Sequence, residues 1–198
     1  YYFLRNGQSV GGGANSVSPQ ELVRNGEGVL CVFNKRHVLI LPSSEHPSAN
    51  WGRSGEIAQG VTNFQNIPNI YDTEEAFQGE NDSINFLNKY GDVAEYGFYK
   101  ASLITSPSMT REGRLPSLGE FMVMINASEN NIQVINDHLS NFPVYTPIMY
   151  NTSYNSYLSS SQNGENYYWG CNFHDLSLTG DFHKAMAQGF VIPVASVV

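Results

Sequence analysis

In Leu115-Pro116-Ser117-Leu118-Gly119-Glu120-Phe121-Met122, a Ser stands three residues ahead of a Glu and directly before the apolar run Phe121 to Ile125. A Ser hydroxyl there can accept from the N–H of the third helical residue while the Glu side chain returns to the Ser N–H, so a helix starts at Leu118. Downstream, a second short helix is expected from Glu129 through Ile132, Val134-Ile135 and Leu139, ended by Asn141 and Pro143. Upstream, Ile84, Phe86-Leu87, Tyr90, Val93-Ala94, Phe98, Ala101 and Leu103 recur every three to four residues, an amphipathic helix interrupted at Gly91 and capped by Asp82 or Ser83.

Strand patterns lie on both sides of this helical middle. Val29-Leu30-Cys31-Val32-Phe33 and His37-Val38-Leu39-Ile40-Leu41 are two apolar runs joined by Asn34-Lys35-Arg36, which reads as a buried hairpin. Tyr157 to Ser161 and Tyr167 to Phe173 flank Asn163-Gly164, a strong hairpin signal, and should form antiparallel sheet with decorated edges. Residues 189–197 read as a terminal strand with Pro193 at an edge or bulge. Residues 42–80 are rich in Pro, Gly, Asn and Ser, a long excursion expected to pack on its own aromatics Trp51, Phe64, Tyr71 and Phe77. Residues 1–20, with Gly11-Gly12-Gly13, read as a linker or arm, leaving 21–198 as the domain.

The chain has 198 residues, enough for one sizeable core without disulfides. Charged residues are only 14% against 13% aromatics, so its polarity comes mostly from uncharged side chains, which suits a binding surface. A net charge of −8 gives no footprint for phosphate backbones, so nucleic acid is not an expected partner. No apolar run approaches the roughly 20 residues of a membrane-spanning helix, so membrane insertion is not expected. Cys31 and Cys171 are too far apart for a CxxC pair and read as small buried hydrophobes, with a single long-range disulfide as the alternative.

Several of these stretches occur in a recognisable order. The hairpin Gly28 to Leu41, Ala49-Asn50-Trp51-Gly52, Gly79-Glu80-Asn81-Asp82-Ser83 and Gly113 to Glu120 resemble motifs of the C-type-lectin-like domains found in surface and phage proteins of gut bacteria. Tyr157-Leu158-Ser159-Ser160-Ser161-Gln162 is similar to that family's "YWSSSE", and Tyr168 to Phe173 and Phe190 to Val194 are similar to its closing strands. The resemblance covers roughly residues 28–198 and implies an α+β, C-type-lectin-like fold: small antiparallel sheets flanked by two or three helices, with long loops. Leu158 stands where the family usually has Trp, and Ile192 and Ala195 where Arg is common, so the contacts of those residues do not carry over. The EPN, QPD and WND triplets of calcium-dependent sugar binders are absent, so neither a metal nor any other cofactor is expected. Relatives include receptor-binding proteins diversified near the C-terminus by a retroelement that rewrites adenine-bearing codons, and His174 to His183 occupies the corresponding place.

The residues themselves offer a surface for recognition. Tyr150, Asn151, Tyr154, Asn155, Tyr157, Asn166, Tyr168 and Asn172 mix rigid aromatics with short amides, as antibody paratopes do, and His174 and Asp181 join them if the following loop folds over the same face. By strand alternation Tyr167, Trp169, Cys171 and Phe173 should face the core, leaving Tyr168, Gly170, Asn172 and His174 outward. No enzyme constellation emerges. His37, His46, His138, His174 and His183 fall in no compact metal spacing, and His174-Asp175 and Asp181-x-His183, which could chelate a metal, read first as solvated loop pairs. Ser159-Ser160-Ser161 lacks a GxSxG elbow, and Glu74-Glu75 reads as loop charge, although Asp72 with Glu74 or Glu75 could serve a glycosidase if they converged. Sulfatase-modifying enzymes with a related core use a cysteine pair near the C-terminus, where this chain has only Cys171. The expectation is a non-enzymatic receptor-binding or adhesin domain recognising a bacterial cell-surface glycan or protein. It would sit at a phage tail-fibre tip or on a cell surface as a homo-oligomer, a trimer if on a fibre. The alternative is a structural or docking module of such an assembly.

Overall fold

The computed structural model describes residues 1–65, 73–153 and 155–197, so Tyr71, Asp72 and Tyr154 lie outside the described residues. The first twenty residues, expected as an arm, belong to the fold. β1 (Tyr2–Leu4) pairs antiparallel with β3 (Gly26–Phe33), β2 (Ser9–Val10) pairs with the free side of β1, and α1 (Pro19–Asn25) starts at Ser18, whose hydroxyl accepts from the Glu21 N–H at 3.2 Å. Three alternating residues suffice to extend an existing hairpin: Tyr2 and Leu4 enter the main core and Phe3 the opposite face, leaving the glycines in the β2–α1 loop. The hairpin itself is as expected. β3 pairs with β4 (Arg36–Ile40) across Asn34 and Lys35, at φ 49° and 64°, the left-handed geometry of a tight two-residue turn.

After β5 (Ser48–Ala49) and a single 3-10 turn at Glu74–Phe77, the expected interrupted helix is two helices, α2 (Gly79–Tyr90) and α3 (Gly97–Ser102), parted at Gly91 with φ 70°. Asp82 is not its cap. It lies in the first turn of α2 and turns inward, accepting from the Thr62 N–H at 2.7 Å, the Thr62 hydroxyl at 2.9 Å and the Ser160 hydroxyl at 2.7 Å. Burial, only partly offset by these bonds, pushes its pKa up to about 6. α4 (Leu118–Ala127) begins with the expected capping box: the Ser117 N–H donates to Glu120 at 2.8 Å and the Ser117 hydroxyl accepts the Glu120 N–H. Arg114 clamps the same carboxylate with two bonds of 2.8 and 2.6 Å, and α5 (Gln133–Leu139) follows.

β6 (Tyr157–Asn163), β7 (Tyr167–Asn172) and β8 (Ser177–His183) form a meander, and the chain ends in two short strands, β9 (Gly189–Phe190) and β10 (Val194–Ala195). The expected single terminal strand is therefore split. β9 joins the sheet ordered β5-β9-β6-β7-β8, β10 joins the sheet ordered β10-β4-β3-β1-β2, and Pro193 sits at the crossing, where its missing N–H breaks no ladder bond. The result is an α+β fold of two mainly antiparallel five-stranded sheets with five α-helices among the described residues. α4 and α5 close the main core against β3, and both cysteines are free and buried in that core, which removes the disulfide alternative.

The β5–β8 sheet is covered on both faces. Trp169, Cys171 and Phe173 face the α4 side, while Leu158 and Tyr168 face Trp51, Phe86 and Phe98. The excursion after β4 thus packs its Trp51 on helices and sheet rather than on its own aromatics, and the Trp51 N–H donates to Ser159 O at 2.8 Å. β6 is interior, so Ser159, Ser160 and Ser161 are buried rather than decorating an edge. The buried Lys184 ammonium donates to Glu56 O and Gln162 Oε1, both at 2.9 Å, and lies 4.9 Å from the Trp51 ring centre; burial lowers its pKa to about 8.

Candidate functional site

Between α5 and β6 the chain crosses the surface without regular structure, and two buried side chains fix its course. The Asn136 amide donates to Ile148 O at 3.0 Å and accepts the Ile148 N–H at 2.7 Å, replacing both partners a neighbouring strand would supply. One residue on, the Met149 N–H donates to the Tyr157 hydroxyl at 2.9 Å, and that hydroxyl also meets His46 Nδ1 at 3.3 Å. Burial pushes the Tyr157 pKa up to about 12 and lowers that of His46 to about 4, so this pair is neutral at ordinary pH. With Ile148 buried as an anchor, the segment 143–151 is a strap held at a set distance from α5.

Strap and helix border a cleft of about 410 Å³, lined by Gln133 and Asp137 of α5, by Ser140 at its C-cap and by Tyr145, Tyr150 and Asn151 of the strap. The spacing i, i+4, i+7 puts the three helical residues on one face, opposite the inward Ile135 and Leu139. A directed chain of hydrogen bonds runs along it: the Tyr150 hydroxyl donates to Gln133 Oε1 at 2.7 Å, and Gln133 Nε2 donates to Asp137 Oδ1 at 2.6 Å. Tyr145 and Tyr150, 40% and 36% exposed, present ring surface at the mouth. Gln133, Asp137, Ser140 and Tyr145 were absent from the residues the sequence suggested; the periodicity of α5 carried the signal for the first three.

Of the suggested residues, Tyr150, Asn151, Asn155, Asn172 and His174 come together around the strap. Asn172 Nδ2 donates to Ser153 O at 2.8 Å and its Oδ1 accepts the His174 N–H at 2.9 Å; His174 Nδ1 lies 3.3 Å from Tyr150 O, and Asn155 Nδ2 3.3 Å from Met149 Sδ. Asn166 and Asp181 do not join them. β7 and β8 pair Asn172 with Ser177 at one end and Tyr167 with His183 at the other, about 16 Å apart at strand rise, and Asn166 accepts the Gly55 N–H at that far end.

Two suggested ligand-binding residues are corrected outright. Tyr157 and Tyr168 are each 0% exposed. Tyr157 is the strap's tether. Tyr168, expected outward by alternation, does point away from Trp169, but Trp51 stacks on it at 6.4 Å and 9° and Phe182 at 5.4 Å, while its hydroxyl donates to Ala187 O at 3.1 Å. Alternation gives the face and not its cover: residues 48–65 lie over this one. Tyr167, expected in the core, is exposed at the strand's start.

A larger groove of about 930 Å³ lies on the other side of Val144, lined by Pro42, Pro47, Tyr99, Leu103, Met109 and Pro143 among others. Its exposed Leu103, Met109 and Val144 make it more apolar than the strap cleft, and it contains none of the residues suggested by sequence. Among the described residues no three His, Cys, Asp or Glu side chains are grouped to hold a metal ion. His174-Asp175 and Asp181 with His183 stand at opposite ends of β8, and Asp175 instead accepts from the Ser177 hydroxyl at 2.6 Å. Comparison with models of known protein families, with curated proteins and with solved structures finds no match to this chain.

Proposed function

We propose that this chain is a non-enzymatic receptor-binding or adhesin domain, C-type-lectin-like within its α+β class, which holds a bacterial cell-surface glycan or protein in the strap cleft and against the adjoining Asn172–His174 rim. The observation that carries the reading is the tethering of the strap. Asn136 and Tyr157 hold it from below and the Tyr150 hydroxyl ties it to Gln133, so the exposed Tyr145 and Asn151 are preorganised without contributing to the tethers. The lining has one carboxylate and neither His, Cys nor Lys, a composition suited to recognition. The fold reading draws support from the motif order: the hairpin, Trp51, the helix starts at Gly79 and Ser117, and the Ser159–Ser161 strand all serve structural roles. It implies display at a phage tail-fibre tip or on a cell surface, as a homo-oligomer and in a fibre as a trimer.

The test is binding of labelled protein to a panel of gut-bacterial cells and extracted surface glycans, with and without EDTA, for wild type and for Tyr145→Ala/Asn151→Ala. Saturable, strain-selective binding that survives EDTA and falls in the variant is expected. Binding unchanged in a folded variant overturns this site. A second reading, a docking module of a fibre or cell-surface assembly, is favoured by the apolar groove with Leu103, Met109 and Val144 exposed. It requires a stable oligomer in solution that Met109→Asp dissociates.

A further inference from the structure

The donors and acceptors of the strap cleft can be assigned atom by atom, and together they define its ligand. A carboxylate such as that of Asp137 only accepts, so the Gln133 group facing it is the NH₂, which turns Gln133 Oε1 toward Tyr150. The Tyr150 hydroxyl then has to donate, and its single hydrogen is committed to Gln133. The Ser140 hydroxyl is committed likewise, donating to Asp137 O at 2.8 Å. The sites left open on these groups are acceptors: Asp137 Oδ2 and the lone pairs of Tyr150, Gln133 and Ser140. The side-chain donors offered in return are fewer: one remaining Gln133 N–H, the second N–H of the buried Asn136 amide, and the adjustable Tyr145 hydroxyl and Asn151 amide.

Charge points the same way. From Leu115 to His183 the chain has no Lys or Arg, while Glu120, Glu129, Asp137, Glu165, Asp175 and Asp181 lie within it. No lining residue is cationic, so an anionic ligand would face the Asp137 carboxylate with no counter-charge.

We infer that the strap cleft selects ligands rich in hydrogen-bond donors, hydroxyl-bearing sugars and above all amine-bearing ones, and rejects sugars carrying carboxylate or phosphate. This rests on the reading of the cleft as the binding site and adds the chemical class of its ligand. An ammonium at Asp137 Oδ2 would make a charge-assisted bond, stronger than its neutral equivalent, and two stacked sugar faces can lie on Tyr145 and Tyr150.

The experiment is competition for cell binding, with direct titration of the purified chain, using oligomers of glucosamine, N-acetylglucosamine and galacturonic acid at mildly acidic pH. Glucosamine oligomers should compete best, and galacturonic acid oligomers at least about tenfold worse, a difference of about 1.4 kcal/mol. Asp137→Asn, which keeps the shape and removes the charge, should abolish the preference for glucosamine over N-acetylglucosamine. Competition by galacturonic acid oligomers equal to or stronger than that by glucosamine oligomers overturns the inference, and failure of all three, the result for a protein receptor, counts as equal. Loss of cell binding in Tyr145→Ala/Asn151→Ala is scored separately, so the site can stand when its ligand class falls.

Discussion

Replacing Asn136 by Ala removes both strap bonds at once, and the structure sets two routes for the loss. If the strap stays docked, Ile148 N–H and C=O are left buried and unpaired, at about 1–3 kcal/mol each. If it peels away, water satisfies both groups, but burial of the Ile148 side chain is lost, about 2 kcal/mol, together with the Met149–Tyr157 bond, about 1 kcal/mol. The second route costs about 3 kcal/mol and caps the first, so the variant should lose about 3 kcal/mol with its strap released. Urea denaturation followed by circular dichroism measures the loss, and chymotrypsin under native conditions reports release by cutting at Tyr145 and Tyr150. A loss under about 0.5 kcal/mol with the strap still resistant would refute the tethering argument. A full loss with the strap still resistant would refute the peeling route alone.

The remaining expectations concern the interior. Tyr168→Ala should destabilise by about 3–5 kcal/mol, whereas Tyr168→Phe, which loses only the bond to Ala187 O, should cost about 1 kcal/mol and leave cell binding unchanged; reduced binding by a stable Tyr168→Phe variant would restore that residue to the site. Because Asp82 is raised from 3.8 to about 6, the folded chain keeps a proton in that window which the unfolded chain has lost, so this group's contribution makes stability fall as pH rises from about 4 to about 6. Urea midpoints across that range should show the fall, and Asp82→Asn should flatten it. Burial pushes the Cys31 thiol up to about 12 and that of Cys171 well above its usual value, so a thiol reagent should titrate neither until the protein is denatured.

What could be read from the sequence was local. Ser117 and Glu120 meet across a single turn, Asn34-Lys35 closes a hairpin of adjacent residues, and the Ile135 and Leu139 spacing belongs to one helix, although that helix starts at Gln133 and not at Glu129, which with Asn130 takes positive φ; each pattern is complete within a few positions. Three of the failures involve a partner far along the chain. Asp82 has the composition of a cap and is instead a tether because Thr62 and Ser160, 20 and 78 residues away, compete for its carboxylate. Tyr168 alternates as expected, yet its cover comes from Trp51. Tyr2 to Leu4 falls within the stretch expected as an arm because its value as a strand depends on a β3 edge that only the folded hairpin provides. In the candidate site, the exposed aromatics and amides of the strap are visible as composition, while nothing in the sequence marks Asn136, whose two bonds are made to backbone atoms that no side-chain pattern records.

That division has a consequence for how the surface can change. The groups that set the strap's position, Asn136 and Tyr157, lie outside it and are buried, and they grip it through the backbone of Ile148 and Met149. Side chains at Tyr145 and Asn151 can therefore be exchanged with the strap's position kept, provided Ile148 continues to fill its site, whereas exchange of Tyr150 gives up its bond to Gln133. It does not hold for Asn172 and His174: Cys171 and Phe173 carry the packing of that strand end, but Asn172 Nδ2 donates to Ser153 O and His174 Nδ1 meets Tyr150 O, so these two side chains also support the segment they flank. Where contact and support are different residues, as at Tyr145 and Asn151, side chains can change without spending stability, whereas groups such as Tyr150 and Asn172, which are themselves held by their neighbours, cannot be exchanged in this way.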